Sequence, residues 1–313
     1  MSLRSLRSAV EFLTVVPVGR TAAPPADRLG RAYFPAIGAV VGLGAGIVFM
    51  LATAVVTPLV AGVAAIATAA LLTGGLHLDG LADCSDGLLG GGSPERRLEI
   101  MRDPRVGSFG AIALVVVLAG DIALLGGMTP ARAFGGLVVA GALSRLALLA
   151  VVALVPYARS DGLGVAVTGG RRVPDLAIGA LLTLVACLLD LRRSLVAALV
   201  VAVATLLVVD LARRRIGGAT GDVYGACTEI GQWRYCSCSR PADDLARALV
   251  SPARCLDRTR GSCDRIERSA LESGRTAPSG NTRRRACQPT ADRCLLERHA
   301  PRDQYRQEDR SGS

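Results

Sequence analysis

The sequence predicts an all-α membrane protein, a bundle of about six transmembrane helices with a cytoplasmic N-terminus. Of its 313 residues, 51% are hydrophobic and only 4% are aromatic. The apolar residues stand in long blocks of Ala, Val, Leu and Gly rather than in the short alternating runs of a soluble sheet. Polar segments rich in glycine and arginine separate these blocks. We therefore expect a multi-pass protein of the cell membrane.

The N-terminal segment predicts a short amphipathic helix. Between residues 3 and 13, leucine and valine recur at helical spacing on one face, and Arg4, Arg7 and Glu11 interrupt the other. These charges are incompatible with the apolar core of a cleavable signal peptide. The helix is expected to lie on the membrane surface with its apolar face in the bilayer.

Six apolar blocks follow, and most reach the roughly 17 to 25 residues that a membrane helix needs. They are Ala36–Thr57, Leu59–Leu76, Phe109–Met128, Phe134–Pro156, Leu176–Asp190 and Leu195–Leu211. Almost nothing joins the first two blocks, so they should form a helical hairpin. The last two flank Arg192 and Arg193 and are expected to form another, because the fifth is short.

The arginines between the blocks set the orientation. With the N-terminus inside, fifteen loop arginines lie in the cytoplasm and only Arg132, Arg192 and Arg193 lie outside. Because positive residues are retained on the cytoplasmic side, the polar loops are predicted to face the cytoplasm. The formal net charge of +10 resides largely in these loops and in the C-terminal tail. No nucleic-acid partner is expected from it.

The run from His77 to Gly87 is the strongest candidate for chemistry. If it is helical, Asp79, Asp83 and Asp86 stand at positions i, i+4 and i+7, within roughly 60° of one face. Carboxylates so crowded repel one another unless a cation neutralises them. Oxygen ligands suit Mg²⁺, which commonly takes further ligands from substrate phosphates. The run therefore predicts a magnesium site for a phosphate or diphosphate, with solvated acids at a helix start as the alternative.

The segment after the acidic run brings arginines toward it. A capped helix is predicted there, and it delivers Arg102, Asp103 and Arg105 just before the third span. Guanidinium groups beside a metal-bound diphosphate would neutralise charge on a departing phosphate. Anchoring to the membrane surface is the alternative, and it is the role expected of Arg96 and Arg97.

Two ionisable residues lie within predicted spans, and a third lies in the acidic run. Arg145 lies in the middle of a span, where an ionisable side chain usually faces a bundle interior or a watery cavity, and it is placed to reach a phosphate from there. Asp121 lies within another span. A functional role and a structural pairing with a neighbouring helix are equally expected for it. His77 points away from the aspartates on the helix and is either a substrate-binding residue or a hydrogen-bonded interfacial one.

Two further loops carry small and polar residues. Residues 155–164 contain Arg159, and residues 217–226 contain Thr220 and Asp222. Small, flexible and polar segments suit contact with a nucleotide, although ordinary turns look alike. These three residues are candidates for substrate binding.

Seven motifs occur along the chain. They are Phe12-Leu-Thr-Val-Val-Pro-Val, Arg31-Ala-Tyr-Phe-Pro-Ala-Ile-Gly, Gly74-Gly-Leu-His-Leu-Asp-Gly-Leu-Ala-Asp, Glu99-Ile-Met-Arg-Asp-Pro-Arg-Val-Gly-Ser-Phe-Gly, Leu143-Ser-Arg, Pro156-Tyr-Ala-Arg and Thr220-Gly-Asp. In this order they resemble the cobalamin synthase family, adenosylcobinamide-GDP ribazoletransferase, over about residues 8 to 231. The resemblance implies that adenosylcobinamide-GDP and α-ribazole, or its 5′-phosphate, are joined to give adenosylcobalamin, or its 5′-phosphate, and GMP. It also implies an integral membrane enzyme that requires Mg²⁺.

The resemblance assigns expected roles to the candidates. Asp79, Asp83 and Asp86 would hold Mg²⁺ against the diphosphate, and Asp83 would also be catalytic. Arg102, Arg105 and Arg145 would stabilise the departing GMP while a ribazole oxygen attacks the phosphorus in line. The residues expected to contact substrate are His77, Asp103, Arg159, Thr220 and Asp222. Association of several copies is left open.

The C-terminal region departs from the family pattern. We expect a membrane domain at residues 1–231 and, at 232–313, a disordered or frameshifted tail rich in Arg and Cys. The tail holds six of the nine cysteines but no CxxC pair, so neither a zinc module nor, in the cytoplasm, a disulfide scaffold is expected. If a frameshift occurred, another frame after the Gln232 codon should encode an apolar stretch.

Two other functions compete with this interpretation. A CDP-alcohol phosphatidyltransferase also uses an Asp-Gly motif with a divalent metal, but its pattern places Arg where this chain has Asp83. A transporter could use Asp121 and Arg145 in a permeation path. That alternative leaves the clustered polar loops unexplained.

Overall fold

The computed structural model describes residues 3–19, 30–159 and 172–238, and these ranges are helical with no β-strand. The described ranges contain ten α-helices in succession. They are α1 (Leu3–Leu13), α2 (Phe34–Ala52), α3 (Pro58–Thr73), α4 (Leu76–Leu89), α5 (Pro94–Ile100), α6 (Ser108–Gly126), α7 (Pro130–Leu154), α8 (Arg172–Cys187), α9 (Leu191–Ile216) and α10 (Gly221–Cys238). From residue 239 onward, the predicted tail lies outside the described residues.

The local sequence explains where several helices begin. Pro58, Pro94 and Pro130 each occupy the first helical position, where a missing N–H costs nothing and the fixed φ suits a helix. At the start of α5, the side chain of Ser93 accepts a hydrogen bond from the Arg96 N–H, which confirms the predicted cap.

The membrane-spanning character of the chain is confirmed. Four described helical segments are long and apolar enough to cross a bilayer, namely 31–52, 108–126, 130–154 and 173–216. A fifth is added if α3 and α4, which meet at an angle of 91°, count as one bent span. With the bent pair included, these segments overlap all six predicted blocks, because the fourth contains the last two.

The 44-residue segment Val173–Ile216 is too long for one straight span and is broken at Asp190. Asp190 has φ −157° and ψ 78°, outside the helical region, and its side chain caps α9. Cys187 before the break and Ala197 after it pack in the same cluster with Leu143 of α7. The two halves therefore approach one region of α7 from either side of the break.

The two ends of this segment lie on the same side of the bundle. Near the start of α8, Asp175 forms an ion pair with Arg31, just before α2. At the end of α9, Arg213 donates to the carbonyl of Leu154, the last residue of α7. Since α2 and α7 run antiparallel, these two points are neighbouring ends, and α8 and α9 form the predicted hairpin.

Glycines bring α2 and α7 into backbone contact at the centre of the bundle. Gly38 and Gly42 of α2 face Gly141 and Leu137 of α7, so the numbering falls on one helix as it rises on the other. A Cβ added to Gly38 would lie 2.1 Å from the carbonyl oxygen of Gly141. Small residues at four-residue spacing allow this close crossing, as is common between membrane helices.

Candidate active site

The site lies where α4 crosses α10. Gly74 and Gly75 adopt left-handed conformations with φ of 64° and 72°, which turns α4 by 91° out of the line of α3. A Cβ on Gly80 would then lie 3.1 Å from the Cα of Gly225 in α10. The two backbones are this close because both positions lack a side chain, and the crossing brings Asp222 toward the aspartates of α4.

Asp79, Asp83 and Asp222 form an acidic group at this crossing. Asp79 is exposed, Asp83 is half-buried, and both interact electrostatically with Asp222. Burial raises the pKa of Asp83 to about 7, and the negative charges of Asp79, Asp222 and Asp86 add to this effect against the opposing charge of Arg159. A cation bound here would relieve that repulsion.

Asp222 contacts residues of both polar loops that the sequence predicts to bind substrate, 155–164 and 217–226. Its carboxylate lies 3.0 Å from Arg159 and accepts a hydrogen bond of 3.2 Å from the Thr220 hydroxyl. Burial raises the pKa of Asp222, and the positive charge of Arg159 opposes that rise. Backbone hydrogen bonds between residues 156–158 and Ala219 tie the loops to each other. The structure thus brings Arg159, Thr220 and Asp222 together beside Asp83.

The carboxylate of Asp86 has a different environment from those of Asp79 and Asp83. One carboxylate oxygen accepts from the Gly107 N–H at 2.7 Å and the other from the Gly110 N–H at 2.9 Å. Both donors belong to the first turn of α6, whose N–H groups have no intrahelical partner. Asp86 therefore caps α6 from a distant point in the sequence, and its capacity for a metal is reduced.

The arginines in and just after α5 occupy three different environments. Arg102 is exposed, and Arg105 forms two hydrogen bonds of 2.9 and 2.7 Å with Asp103 at the surface. These bonds lower the pKa of Asp103 to about 2. Arg97 is buried and donates to the carbonyls of Gly87 and Leu88 at the end of α4, both at 2.9 Å.

The expectation that Arg97 only anchors the chain to the membrane surface is therefore wrong. Its guanidinium satisfies carbonyls that the end of α4 leaves unpaired. Arg96, by contrast, is exposed and pairs with Glu99 three residues later.

Arg145 and His77 lie deeper, inside the bundle. Arg145 is buried and donates to the Ser144 hydroxyl at 2.9 Å and to the Gln232 amide oxygen at 3.1 Å. His77 is buried and interacts electrostatically with Arg145. No hydrogen bond or ion pair in the described part of the chain joins Arg145 to Asp79, Asp83 or Asp222.

Glu229 and Gln232 of α10 belong to this buried network, although neither was a candidate from the sequence. Glu229 interacts electrostatically with Arg145 and with Asp121 of α6. Both residues are buried. Their polar side chains within α10 were the available signal, but the partners that face them are visible only in the fold.

The described side chains contain no group of three or more His, Cys, Asp or Glu close enough to hold a metal by themselves. Mg²⁺ commonly takes only one or two carboxylates and completes its shell with water and substrate phosphates. Asp79 and Asp83, with Asp222 nearby, provide an all-oxygen donor set of that kind. The donor chemistry fits the ion that the sequence predicts.

Fold and site together define a polytopic α-helical membrane protein with a carboxylate and arginine site at one end of its bundle. Residues 5–237 match the family model described as cobalamin-5-phosphate synthase. The chain therefore belongs to the cobalamin-5-phosphate synthase family, as the motif order indicated.

Curated relatives agree with this assignment. A protein of Bradyrhizobium diazoefficiens is 39% identical over 238 residues, which cover 74% of this chain and 90% of the relative. Proteins of Chlorobaculum tepidum and Azorhizobium caulinodans are each 41% identical, over 73% of this chain and 91% and 92% of their own lengths. All three are named adenosylcobinamide-GDP ribazoletransferase. No solved structure matches the chain.

Proposed function

We propose that this chain joins adenosylcobinamide-GDP to α-ribazole, or to its 5′-phosphate, and releases GMP. Family membership and the names of the relatives support this transferase activity in cobalamin biosynthesis. The observation that carries the proposal in the structure is the acidic group of Asp79, Asp83 and Asp222, with Arg159 against it. These carboxylates would hold a cation that neutralises a diphosphate, and the guanidinium of Arg159 would lie beside it.

We propose that the cation is Mg²⁺ and that Asp79 and Asp83 hold it, with Asp222 beside them. Burial, and after it the negative charges of Asp79, Asp222 and Asp86, raise the pKa of Asp83, so its charged form is disfavoured unless a cation balances it. When bound, Mg²⁺ would withdraw charge from the phosphate oxygens. Asp86 is left out of this set because both of its oxygens accept backbone hydrogen bonds from α6.

Arg159 is the arginine best placed to stabilise the negative charge that develops on the departing GMP. Its side chain is nine-tenths buried, one terminal nitrogen is held by Asp222, and its Nε has no hydrogen-bond partner in the described structure. A buried donor without a partner is costly unless a ligand satisfies it. The α-ribazole hydroxyl oxygen would form the new bond to the cobinamide-bound phosphorus as the bond from that phosphorus to the GMP oxygen breaks. The hydroxyl proton passes to solvent.

We place the site on the cytoplasmic face. The arginine distribution supports this, and the bend after α3, the start of α6 and the ends of α7 and α9 all lie at the same end of the bundle as the acidic group. Cysteine labelling tests the orientation. With the tail cysteines replaced by serine, Gly91→Cys should react with an impermeant thiol reagent only from the cytoplasmic side, and Val55→Cys only from the other.

The activity itself is tested in membranes that contain the full chain. GMP release from adenosylcobinamide-GDP should require both α-ribazole and Mg²⁺. Transport of a solute without GMP release would support the transporter alternative, and transfer to a lipid alcohol would support the phosphatidyltransferase. Membership of the cobalamin-5-phosphate synthase family favours neither.

A further inference from the structure

Four ionisable side chains from four helices lie in the interior of the bundle. Asp121 of α6, Arg145 of α7 and Glu229 of α10 are at most 9% exposed, and His77 of α4 is equally buried. Glu229 interacts electrostatically with both Arg145 and Asp121, so it has one positive and one negative partner. The proposed reaction leaves all four side chains without a role.

The charges of these four side chains do not balance when both carboxyl groups are ionised. Arg145 contributes one positive charge, whereas Asp121 and Glu229 together contribute two negative ones. An uncompensated charge is costly in the interior of a membrane protein. The described part of the chain holds no group of three or more His, Cys, Asp or Glu that could bind a metal ion here. A proton, on a carboxyl group or on His77, therefore restores the balance.

The contacts identify Asp121 as the residue that carries this proton. Its electrostatic partner is Glu229, a like charge, and its Oδ1 is buried without a hydrogen-bond partner in the described structure. Glu229, by contrast, has the guanidinium of Arg145 to balance its charge. A proton on His77 would place a second positive charge beside Arg145, which disfavours it.

Glu229 and Gln232 connect α10 to α7. The amide oxygen of Gln232 accepts a hydrogen bond of 3.1 Å from Arg145, and Glu229 balances the charge of the same guanidinium. Arg145 also donates to the hydroxyl of Ser144 at 2.9 Å. A Cβ on Gly231 of α10 would lie 3.4 Å from the Cα of Ser144, so the two helices are in close contact at this level. Polar contacts thus fix α10 to α7 here.

Glu229 lies two helical turns beyond Asp222 on α10. A spacing of seven residues places the two carboxyl groups within about 20° of one helix face and about 10 Å apart along the axis. Between them, α10 crosses α4, and a Cβ on Gly225 would lie 3.0 Å from the Cα of Gly80. Glycines present no side-chain ridges, so this crossing alone does not fix the rotation of α10 about its axis. The polar contacts of Glu229 fix it, and with it the direction of Asp222.

We infer that Glu229 is a positioning residue for Asp222: as a carboxylate it balances Arg145 while Asp121 stays protonated, and this arrangement holds the start of α10 at the acidic group. The inference rests on the proposed function, in which Asp222 lies beside Mg²⁺. Protonation of Asp121 removes the repulsion that Glu229 would otherwise meet from α6. Charges in the interior of the bundle thereby set the geometry of the site at its end.

Two substitutions of similar shape separate the roles of the two carboxyl groups. Asp121→Asn and Glu229→Gln each replace a carboxyl with a neutral amide, and Asp210→Asn, at an exposed position of α9, is the control. Mg²⁺ binding is measured in detergent by the rise of the thermal midpoint with Mg²⁺ concentration. In membranes that contain the full chain, it is measured by the Mg²⁺ concentration for half-maximal GMP release. Infrared spectra at alkaline pH record the C=O band of protonated carboxyl groups.

Asp121→Asn should lose a protonated-carboxyl band that Asp210→Asn keeps, and both should leave the Mg²⁺ requirement within about twofold, because an amide resembles the neutral acid. Glu229→Gln should raise the Mg²⁺ requirement at least about fivefold at temperatures well below its thermal midpoint, because Arg145 loses its balancing charge. Glu229→Asp keeps the charge on a shorter side chain and should show a smaller increase. It replaces Glu229→Gln in the comparison if the latter does not fold.

An unchanged protonated-carboxyl band in Asp121→Asn, or a Mg²⁺ requirement raised as much as in Glu229→Gln, would overturn the inference, because Asp121 would then be charged. A lower thermal midpoint in the Glu229 variants with an unchanged Mg²⁺ requirement would also overturn it, since Glu229 would then support only the fold. Both results leave the proposed function in place. Absence of GMP release in the unsubstituted chain would overturn the proposed function, while the infrared band and the thermal midpoints would still test the inference.

Discussion

Arg159 and Asp222 lie 3.0 Å apart, and this ion pair joins the loop after α7 to the first turn of α10. The same guanidinium reaches the carbonyl of Leu98 at 3.4 Å, so it also contacts the α5 segment. Three segments that are distant in the sequence therefore meet at one arginine beside the acidic group. This convergence connects the fold to the proposed chemistry.

Replacement of Arg159 by glutamine should lower kcat at least about 100-fold, because one donor to the departing phosphate is lost. GMP release at saturating substrate measures the effect, and Arg159→Lys should recover only part of the activity since lysine lacks the planar set of donors. Arg214→Gln is the control, because Arg214 is exposed and, among the described residues, pairs with Asp210 alone. Activity within threefold of normal in Arg159→Gln would remove this arginine from the mechanism.

Activity at limiting Mg²⁺ should rise as the pH increases from about 6 to 8. Asp83 has a pKa of about 7, so the carboxylate form that we propose to bind the metal gains population across that range. Saturating Mg²⁺ should move the rise to lower pH, because the cation favours the charged form. A pH profile that does not respond to Mg²⁺ concentration would contradict the assignment.

The raised pKa of Asp83 affects folding stability in the opposite direction, because this stability falls as the pH increases. An aspartate in an unfolded chain has a pKa of about 3.9, so between about pH 4 and 7 the folded state binds this proton more tightly than the unfolded state. Without metal, the stability contributed by the protonated Asp83 is therefore lost as the pH rises through that window. Thermal unfolding in detergent at several pH values, with and without Mg²⁺, measures this loss and its recovery by the cation.

Asp86→Ala should destabilise the fold by about 1–3 kcal/mol, because two N–H groups of α6 lose their acceptor. Where the variant remains folded, the Mg²⁺ concentration for half-maximal activity should stay unchanged. The thermal midpoint and a Mg²⁺ titration separate the two effects. A shifted Mg²⁺ requirement at an unchanged midpoint would restore Asp86 as a metal ligand.

Two glycines of α7 offer a matched pair for testing the central helix contact. A Cβ on Gly141 would lie 2.0 Å from the Gly38 carbonyl oxygen, whereas one on Gly135 would meet nothing within 4 Å. Gly141→Ala should therefore lower stability by about 1–3 kcal/mol. Gly135→Ala should be neutral or slightly stabilising, since alanine favours the helix. Equal thermal midpoints for the two variants would contradict the described crossing of α2 and α7.

The sequence predicted the features that depend on neighbours along the chain. Hydropathy located the spans, and helical spacing placed Asp79 and Asp83 on one face. The same spacing could not show that Asp86, one turn further on, would meet the N-terminus of α6, because that contact depends on how two helices pack. The hydrogen-bond partners of Arg97 and Arg145 could not be predicted for the same reason.

The measurement that tests the central claim most directly follows GMP and corrinoid product together across a Mg²⁺ titration, for the unsubstituted chain and for Asp83→Asn. We predict one molecule of joined corrinoid product for each GMP in the unsubstituted chain, strict dependence on Mg²⁺, and a loss of at least about 100-fold in Asp83→Asn. Asp210→Asn, an exposed aspartate in α9, should behave as the unsubstituted chain does. GMP release that needs neither Mg²⁺ nor Asp83 would contradict the account.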